Sequence, residues 1–285
     1  MLLSGEAGIG KSRLTVELEK RLRSEPHATL RYSSSPHHTD SAFHPVVAHL
    51  ERAAGFVRHD PPRVRLNKLA ALLGASSDDG DLRLLAELLS IPGEELYAPL
   101  ELSAPRKKEK TLEALVRRLE TLGRQRPLLV LAEDVHWIDP SSRELLDLII
   151  DRVAHLPALL IVTFRPEFQP PWVGQAHVTT LALSRLAPRD GAALVAGNHA
   201  LPADIAAEVV ERTDGVPLFV EEMTKAAMEI DEDDVIRPRS VPTVPRSTLA
   251  VPATLYASLI ARLDRLGPVA KELAQIGAAI GREFT

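Results

Sequence analysis

Residues 5–12 are Gly5-Glu6-Ala7-Gly8-Ile9-Gly10-Lys11-Ser12 and match every fixed position of the phosphate-binding loop pattern G-x-x-x-x-G-K-[S/T]. Glycines allow a tight backbone turn that brings consecutive N–H groups against phosphate oxygens. In this pattern Lys11 reaches the β- and γ-phosphates, and the Ser12 hydroxyl ligates Mg²⁺. The segment therefore predicts a nucleotide and magnesium site formed by residues 5–12 and by Arg13, which follows them.

The flanking sequence supplies the context in which such a loop functions. Met1-Leu2-Leu3 is the apolar end of a strand, and residues 13–23 predict a helix with Leu14, Leu18 and Leu22 four residues apart. A helix that opens directly after the loop places the positive end of its dipole at the anion. Strand, loop and helix together favour a phosphate site over a glycine-rich turn that contains Lys-Ser by coincidence.

Composition limits the classes of function. The 285 residues carry a net charge of −5, which argues against a nucleic-acid binder over the whole chain. The absence of cysteine excludes disulfides, thiolate catalysis and Cys-type zinc sites. Since no apolar run reaches membrane-spanning length and no signal segment opens the chain, we expect a cytoplasmic protein without a membrane partner.

Segments typical of strands recur over the first 185 residues, at 28–34, 128–132, 158–164 and 178–183, and the run 128–132 is apolar throughout. Helical patterns separate them, at about 42–54, 62–100, 106–124 and 141–154. Strands that alternate with helices predict a parallel sheet covered by helices on both faces. We therefore predict an α/β P-loop NTPase core over residues 1–185.

Serines mark two of the expected helix starts. Ser41 is the expected cap of the helix at 42–54, and Ser141 and Ser142 are the expected caps of the helix at 141–154. Serine hydroxyls accept hydrogen bonds from the first N–H groups of a helix, which have no partner within the helix itself.

Beyond residue 185 the pattern is helical, at about 188–197, 202–213 and 217–229. An acidic run at 231–234 and many prolines from 238 onward predict a linker over 230–251. Two short helices, at about 252–266 and 268–280, follow it. The second part of the chain is therefore predicted to be helical and separate from the α/β core.

An acidic pair, Glu133-Asp134, directly follows the apolar run 128–132. A P-loop site needs one carboxylate for Mg²⁺, usually through water, and another that orients or deprotonates the attacking water. By their order we assign Glu133 to the metal, together with Ser12, and Asp134 to the water, and the reverse assignment stays open. The structural alternative is an acidic pair that only caps the following turn.

Arg165 follows the next predicted strand, at the sheet edge where ligands bind. A guanidinium there would sense the γ-phosphate or stabilise the charge that develops in hydrolysis. The alternative is a surface arginine before a proline turn. His136 and Trp137, between the two predicted strands, are assigned to packing because a histidine beside a tryptophan is more often structural than catalytic.

Four segments resemble the signal-transduction ATPases with numerous domains, which belong to the broad AAA+-like group. They are residues 5–12, 133–140 (Glu-Asp-Val-His-Trp-Ile-Asp-Pro), 163–166 (Thr-Phe-Arg-Pro) and 213–222 (Thr-Asp-Gly-Val-Pro-Leu-Phe-Val-Glu-Glu). Within this group the chain is most similar to the ATPase module that follows class III adenylate cyclase domains in bacteria. It is also similar to the ATPase part of large LuxR-type transcriptional regulators.

The resemblance implies roles that spacing alone does not show. Gly215-Val216-Pro217 matches the family's Gly-x-Pro motif, in which the proline lies near the adenine, whereas the residues alone indicate a helix stop and restart. Residues 186–229 would form a helical lid that reports the nucleotide state. Residues 252–285 resemble an unfinished start of a winged-helix domain, so we expect a fragment of a longer regulator with covalently linked sensor or output domains.

The function that these residues predict is binding of Mg-ATP, with slow hydrolysis that sets a conformational switch. ATP is favoured over GTP because no Asn-Lys-x-Asp motif occurs. Three alternatives stay open: a nucleotide-loaded scaffold without hydrolysis, a cyclase or regulator activity that belongs to a longer parent, and direct DNA binding. The acidic net charge and the unfinished winged helix argue against the last of these, and self-association stays open.

Overall fold

The computed structural model describes residues 1–74, 78–92, 100–198, 201–236, 272–274 and 276–277. The chain divides into two compact units. The first comprises Met1–Glu6 and Lys11–Leu183, and the second comprises Ala7–Gly10 and the residues from Ser184 onward. Within the described ranges, none of the helices combines the length and the apolarity that crossing a membrane requires.

The first unit is built on a five-stranded sheet in which every recorded strand pair is parallel. The strands are β1 (Leu2–Ser4), β2 (Ala28–Ser33), β3 (Leu128–Glu133), β4 (Ala158–Phe164) and β5 (Thr180–Ala182). Their order across the sheet is β2-β3-β4-β1-β5, so β1, which leads into the phosphate loop, lies between β4 and β5. The predicted parallel α/β sheet is confirmed.

Helices cover both faces of this sheet. They are α1 (Lys11–Arg21), α2 (His44–Ala54), α3 (Pro62–Leu73), α4 (Asp79–Leu88), α5 (Ala104–Gln125) and α6 (Pro140–Val153). On one face Leu3, Leu131 and Ile161 of the sheet pack with Leu18 of α1 and with Leu22 just beyond its end. The larger core on the opposite face joins the sheet to α2, α5 and α6. The central strand β3 contributes to both cores and is buried on both sides, whereas the edge strand β5 is exposed.

β3 shows why the acidic pair could be located from the sequence. All six of its residues are buried, and Val130 and Leu131 are fully inaccessible. A parallel strand buried on both faces has a continuous apolar sequence, which is the pattern that predicted this strand. The strand ends on Glu133, so Glu133 and Asp134 emerge at the carboxyl edge of the sheet.

α2 does not begin where Ser41 predicted. The helix starts at His44, and Phe43 precedes it in the left-handed conformation, with φ of 59°. The Phe43 N–H donates to Asp139 Oδ1 at 2.9 Å. The prediction was wrong because a residue distant in sequence, Asp139, takes the hydrogen bond that fixes the start of this helix.

The cap of α6 is Asp139, so the prediction of Ser141 and Ser142 as caps was also wrong. Asp139 Oδ1 accepts the Ser142 N–H at 2.9 Å, and Pro140 is the first helical residue. Proline is favoured at this position because its missing N–H would have no partner within the helix, and aspartate is among the strongest caps. Asp139 therefore joins the start of α6 to the start of α2.

Asp139→Ala is expected to lower the free energy of unfolding by about 2–4 kcal/mol, since it removes a helix cap and strands the buried Phe43 N–H. Asp139 is only 1 % exposed, so water cannot replace the lost acceptor. Urea denaturation measures the change. The matched control is Asp151→Ala, an exposed position on the same helix where a change below about 0.5 kcal/mol is expected. Equal losses in the two variants would contradict the structural role of Asp139.

The second unit contains three helices among its described residues: α7 (Pro188–Asn198), α8 (Ala203–Arg212) and α9 (Pro217–Ile236). Val195, Val209, Val220 and Met223 form its core. α9 runs through the acidic residues 231–234, which were expected to belong to a linker from 230. The run contains neither glycine nor proline, and the first proline after it is Pro238, so no helix breaker stops the helix at 229.

The rest of the predicted linker, 237–251, lies outside the described residues. The predicted winged-helix start, 252–285, also lies outside them, apart from the short helical pieces 272–274 and 276–277.

Candidate functional site

Lys11 opens α1, and its side chain turns back toward the chain that precedes it. The ammonium Nζ donates to the Gly5 carbonyl oxygen at 2.6 Å and to the Glu6 carbonyl oxygen at 2.9 Å. Lys11 is 7 % exposed, an unusual degree of burial for a lysine. An ammonium has three N–H donors, so these two bonds fix the side chain without using every donor.

The backbone between Glu6 and Lys11 needs glycine at two positions. Gly8 has φ of +77° and Gly10 has φ of +102°, a region that L side chains rarely adopt. Gly8 also meets α9 within the second unit, because its carbonyl oxygen accepts the Leu218 N–H at 3.2 Å. A Cβ at Gly8 would lie 3.1 Å from the Leu218 Cβ, so close approach is a second reason for glycine here.

The other predicted nucleotide-binding residues lie on or beside this loop. Gly5 is buried and its N–H donates to the Phe164 carbonyl oxygen at 3.3 Å. Ile9 is buried, Glu6 and Ala7 are exposed, and Ser12 and Arg13 are exposed on the first turn of α1. Pro217 is the first residue of α9, directly before Leu218.

Glu133 is held by donors from two neighbouring elements. The Thr15 hydroxyl of α1 donates to its Oε1 at 3.0 Å. Its Oε2 accepts from the Arg31 guanidinium at 2.9 Å and from the Ser33 hydroxyl at 3.3 Å. Arg31 also bonds to Glu19 of α1. Sequence reasoning missed these partners, because the pairing of β2 with β3 brings Arg31 and Ser33 to Glu133 and the packing of α1 on the sheet brings Thr15.

Asp134 has a fixed backbone at the carboxyl end of β3. Its φ of 54° is left-handed, a conformation that aspartate tolerates better than most residues. Its N–H donates to the Thr163 hydroxyl oxygen of β4 at 3.0 Å, and Thr163 is 2 % exposed. The neighbouring strand therefore sets the direction in which the chain leaves β3.

Charged groups from three separate segments act on one another at this edge. Burial lowers the pKa of Lys11; the Arg165 guanidinium lowers it further, and the carboxylates of Asp134 and Glu167 oppose the shift. Burial also lowers the pKa of His136, with Arg165 and Lys11 adding to the effect and the same two carboxylates opposing it. The structure thus brings Lys11, Asp134 and Arg165, which were predicted separately, into one electrostatic environment.

Arg165 follows the end of β4 and lies near Trp137. Its guanidinium carbon Cζ is 5.9 Å from the centroid of the Trp137 ring, within the range of a cation–π contact. The His136 ring is 5.1 Å from the same indole ring, measured between centroids. Among the described residues, neither nitrogen of His136 has a hydrogen-bond partner although both are buried. His136 and Trp137 therefore lie beside Arg165 and the charged groups that act on His136. The sequence analysis assigned both residues to packing and did not predict this position.

The oxygen donors near the phosphate loop fit magnesium. The Thr15 hydroxyl lies 2.9 Å from the Ser12 carbonyl oxygen as well as 3.0 Å from Glu133, so Ser12 and Glu133 belong to adjoining parts of the structure. Mg²⁺ prefers oxygen ligands and usually binds through one or two carboxylates together with phosphates and waters. Within the described ranges, no group of three or more His, Cys, Asp or Glu side chains could hold a metal by itself.

Comparison with solved structures finds distant likenesses, among them two at 12% sequence identity. One is the crystal structure of Cdc6p from Pyrobaculum aerophilum, with a TM-score of 0.46 over 82% of this chain and 56% of that chain. The other is the structure of C. elegans PCH-2, with a TM-score of 0.39 over 93% of this chain and 61% of that chain.

Sequence comparison is more informative. The chain is 32% identical over 294 residues to an uncharacterized protein of Rhizobium meliloti (strain 1021), and it spans 28% of the length of that relative. The family model described as AAA ATPase domain matches residues 1–162. That match covers more than half of the chain and includes both the phosphate loop and the acidic pair, and so the chain belongs to the AAA ATPase domain family.

Proposed function

We propose that this chain binds Mg-ATP, hydrolyses it slowly and acts as a nucleotide-dependent switch within a longer regulator. The observation that carries the proposal is the buried Lys11 ammonium, bonded to two carbonyl oxygens of its own loop and electrostatically coupled to Asp134 and Arg165. A buried cation between a glycine-rich turn and a helix N-terminus is suited to bind a triphosphate.

The binding step uses the loop and the first turn of α1. The N–H groups of residues 5–12 and the Lys11 ammonium would bind the β- and γ-phosphates, and the Ser12 hydroxyl would help to hold the metal. Mg²⁺, when bound, neutralises charge on the phosphate oxygens. Glu133 would hold the metal through water, a role supported by the three donors that already fix the positions of its two oxygens.

The hydrolytic step relies on Asp134 as the residue that orients or deprotonates the attacking water. Its backbone is fixed by Thr163, which limits the positions open to the carboxylate. Glu133 is less suited to this role because its oxygens accept bonds from Thr15, Arg31 and Ser33. Arg165 stabilises negative charge on the γ-phosphate as it leaves.

The switch involves a division of the chain into a core over residues 1–185 and a lid over 186–229. Within the second unit, the Leu218 N–H donates to the Gly8 carbonyl oxygen, so the start of α9 is bonded to a glycine of the phosphate loop. This hydrogen bond supports a lid that responds to the bound nucleotide. Pro217, one residue before Leu218, would contact the adenine. Loss of the γ-phosphate would release Lys11, Arg165 and the lid. Linked sensor or output domains are proposed because the Rhizobium relative extends well beyond the matched part.

The experiment that tests this function compares ATP turnover and ADP affinity between the wild type and Arg165→Ala. We expect turnover to fall about tenfold, or 1.4 kcal/mol in the activation barrier, because this guanidinium acts on the γ-phosphate. The affinity for ADP, which has no γ-phosphate, should stay within about twofold, a change under 0.5 kcal/mol.

The matched control is Arg58→Ala, an exposed arginine remote in sequence from the predicted site, and it should leave both quantities unchanged. Equal turnover in wild type and Arg165→Ala would remove Arg165 from the mechanism. Wild-type protein that binds ATP but shows no turnover would establish the scaffold alternative instead.

A further inference from the structure

A cluster of alternating charges lies beneath the phosphate site, on the face of the sheet that α1 covers. Arg31 of β2 stands between two carboxylates, Glu133 of β3 and Glu19 of α1. Its guanidinium Nη1 donates to Glu133 Oε2 at 2.9 Å, and Nη2 bonds to Glu19 Oε2. The side chains are 24%, 29% and 11% exposed for Arg31, Glu19 and Glu133 respectively, so solvent screens this cluster only in part.

The register of the sheet and the period of the helix build this cluster together. Arg31 is opposite Leu131 and Ser33 is opposite Glu133, and residues two apart on a strand share a face. Thr15 and Glu19 are four residues apart on α1 and therefore lie on one side of that helix. As a result α1 supplies Thr15 to Glu133 and Glu19 to Arg31.

The charges in this cluster do not balance, because one guanidinium serves two carboxylates. Arg31 partly neutralises the negative charge that the Glu133 carboxylate would offer to a magnesium ion. The metal and the guanidinium are like charges at one carboxylate, so they repel each other strongly where solvent screening is incomplete. Glu19 weakens this repulsion because it attracts the same guanidinium from the other side.

We propose that Arg31 is a positioning residue that holds Glu133 in place and lowers the magnesium affinity of the nucleotide site. Glu19 opposes this effect because it attracts the same guanidinium. The inference rests on the proposed function, since it concerns the metal that the nucleotide brings. If the cluster were purely structural, removing Arg31 and removing Glu19 would both weaken metal binding. The proposal instead requires that the two removals change the metal affinity in opposite directions.

The test is a titration of Mn²⁺ into the intact protein with saturating ADP, followed by electron paramagnetic resonance, and then displacement of Mn²⁺ by Mg²⁺. Arg31→Gln is expected to tighten metal binding about threefold to tenfold, because a positive charge near the metal is lost while Thr15 and Ser33 still bond to Glu133. Glu19→Gln is expected to weaken metal binding about threefold, because the whole guanidinium charge then acts at Glu133.

Two further variants separate charge from packing. Arg31→Lys keeps the charge but has a single nitrogen in place of the two that bond to Glu133 and Glu19. If charge is what acts, its metal affinity should stay closer to that of the wild type than to that of Arg31→Gln. Arg21→Gln removes a mostly exposed arginine near the end of α1 and should change nothing. Urea denaturation of each variant shows whether the fold is intact. If Arg31→Gln does not fold, Glu19→Gln and Arg31→Lys still decide the question.

The proposal is overturned if Arg31→Gln and Glu19→Gln weaken metal binding together, because that result indicates a purely structural cluster. It is also overturned if Glu19→Gln leaves the affinity unchanged. A failure of the proposed function would give a different result. The wild-type protein would bind Mn²⁺ with the same affinity with and without ADP, and Lys11→Ala would bind Mn²⁺ with that affinity as well. Nucleotide-dependent binding that is lost in Lys11→Ala, yet unchanged in both cluster variants, refutes the inference alone.

Discussion

Lys11→Ala is expected to lower the affinity for Mg-ATP by about 100-fold, which corresponds to about 2.7 kcal/mol. The reason is the loss of a buried cation whose remaining N–H would donate a charge-assisted hydrogen bond to a phosphate oxygen, worth about 1.5–3 kcal/mol. Lys11 is already fixed by the Gly5 and Glu6 carbonyl oxygens, so little side-chain freedom is lost when the nucleotide binds. Isothermal titration calorimetry with a slowly hydrolysed ATP analogue measures the effect.

The control for this variant is Lys20→Ala on the same helix. Lys20 pairs with Glu17 on the exposed side of α1, with its side chain 46% exposed, and its removal should leave the affinity within about twofold. Urea denaturation of Lys11→Ala shows whether the loss reflects unfolding, because the variant also removes two hydrogen bonds within the protein. Unchanged nucleotide affinity in a folded Lys11→Ala protein would refute the proposed site.

The second large effect is expected in catalysis. Asp134→Asn should reduce ATP turnover by about 10²- to 10³-fold, since a positioned general base contributes roughly 10²- to 10⁴-fold. Asparagine tolerates the left-handed backbone at this position and keeps the N–H that Thr163 accepts, so the loop geometry should persist. Nucleotide affinity should therefore stay within about threefold, or 0.7 kcal/mol. Steady-state turnover and calorimetry measure the two quantities.

Glu133→Gln is the matched comparison, because it changes the adjacent carboxylate to an amide. If Glu133 holds the metal through water, this variant should raise the magnesium concentration needed for half-maximal turnover rather than abolish turnover at saturating magnesium. Equal turnover in wild type and Asp134→Asn would discard the catalytic assignment of Asp134. Loss of turnover in Glu133→Gln alone would reverse the roles of the two acids.

Local sequence was sufficient for the elements whose chemistry is local. The loop of residues 5–12 was predicted because its glycines and lysine stand at the spacing typical of phosphate-binding loops. β3 was found because a strand buried on both faces is apolar throughout. By contrast, the prediction that the serines at 41, 141 and 142 cap helices was wrong. Asp139 accepts the N–H groups at the starts of both helices instead. That double role depends on the contact between two loops distant in sequence.

The amino-acid sequence by itself indicated the groups that are proposed to do the chemistry: a turn that favours glycine, a lysine directly after it and two acids at the end of a buried strand. The tertiary structure alone decided how these groups meet, through the strand order β2-β3-β4-β1-β5 and the register that sets Ser33 opposite Glu133. Backbone preferences and strand burial act over a few residues, so they are visible in the chain. Ion pairs such as Arg31 with Glu133 join positions 102 residues apart, and packing has to create them.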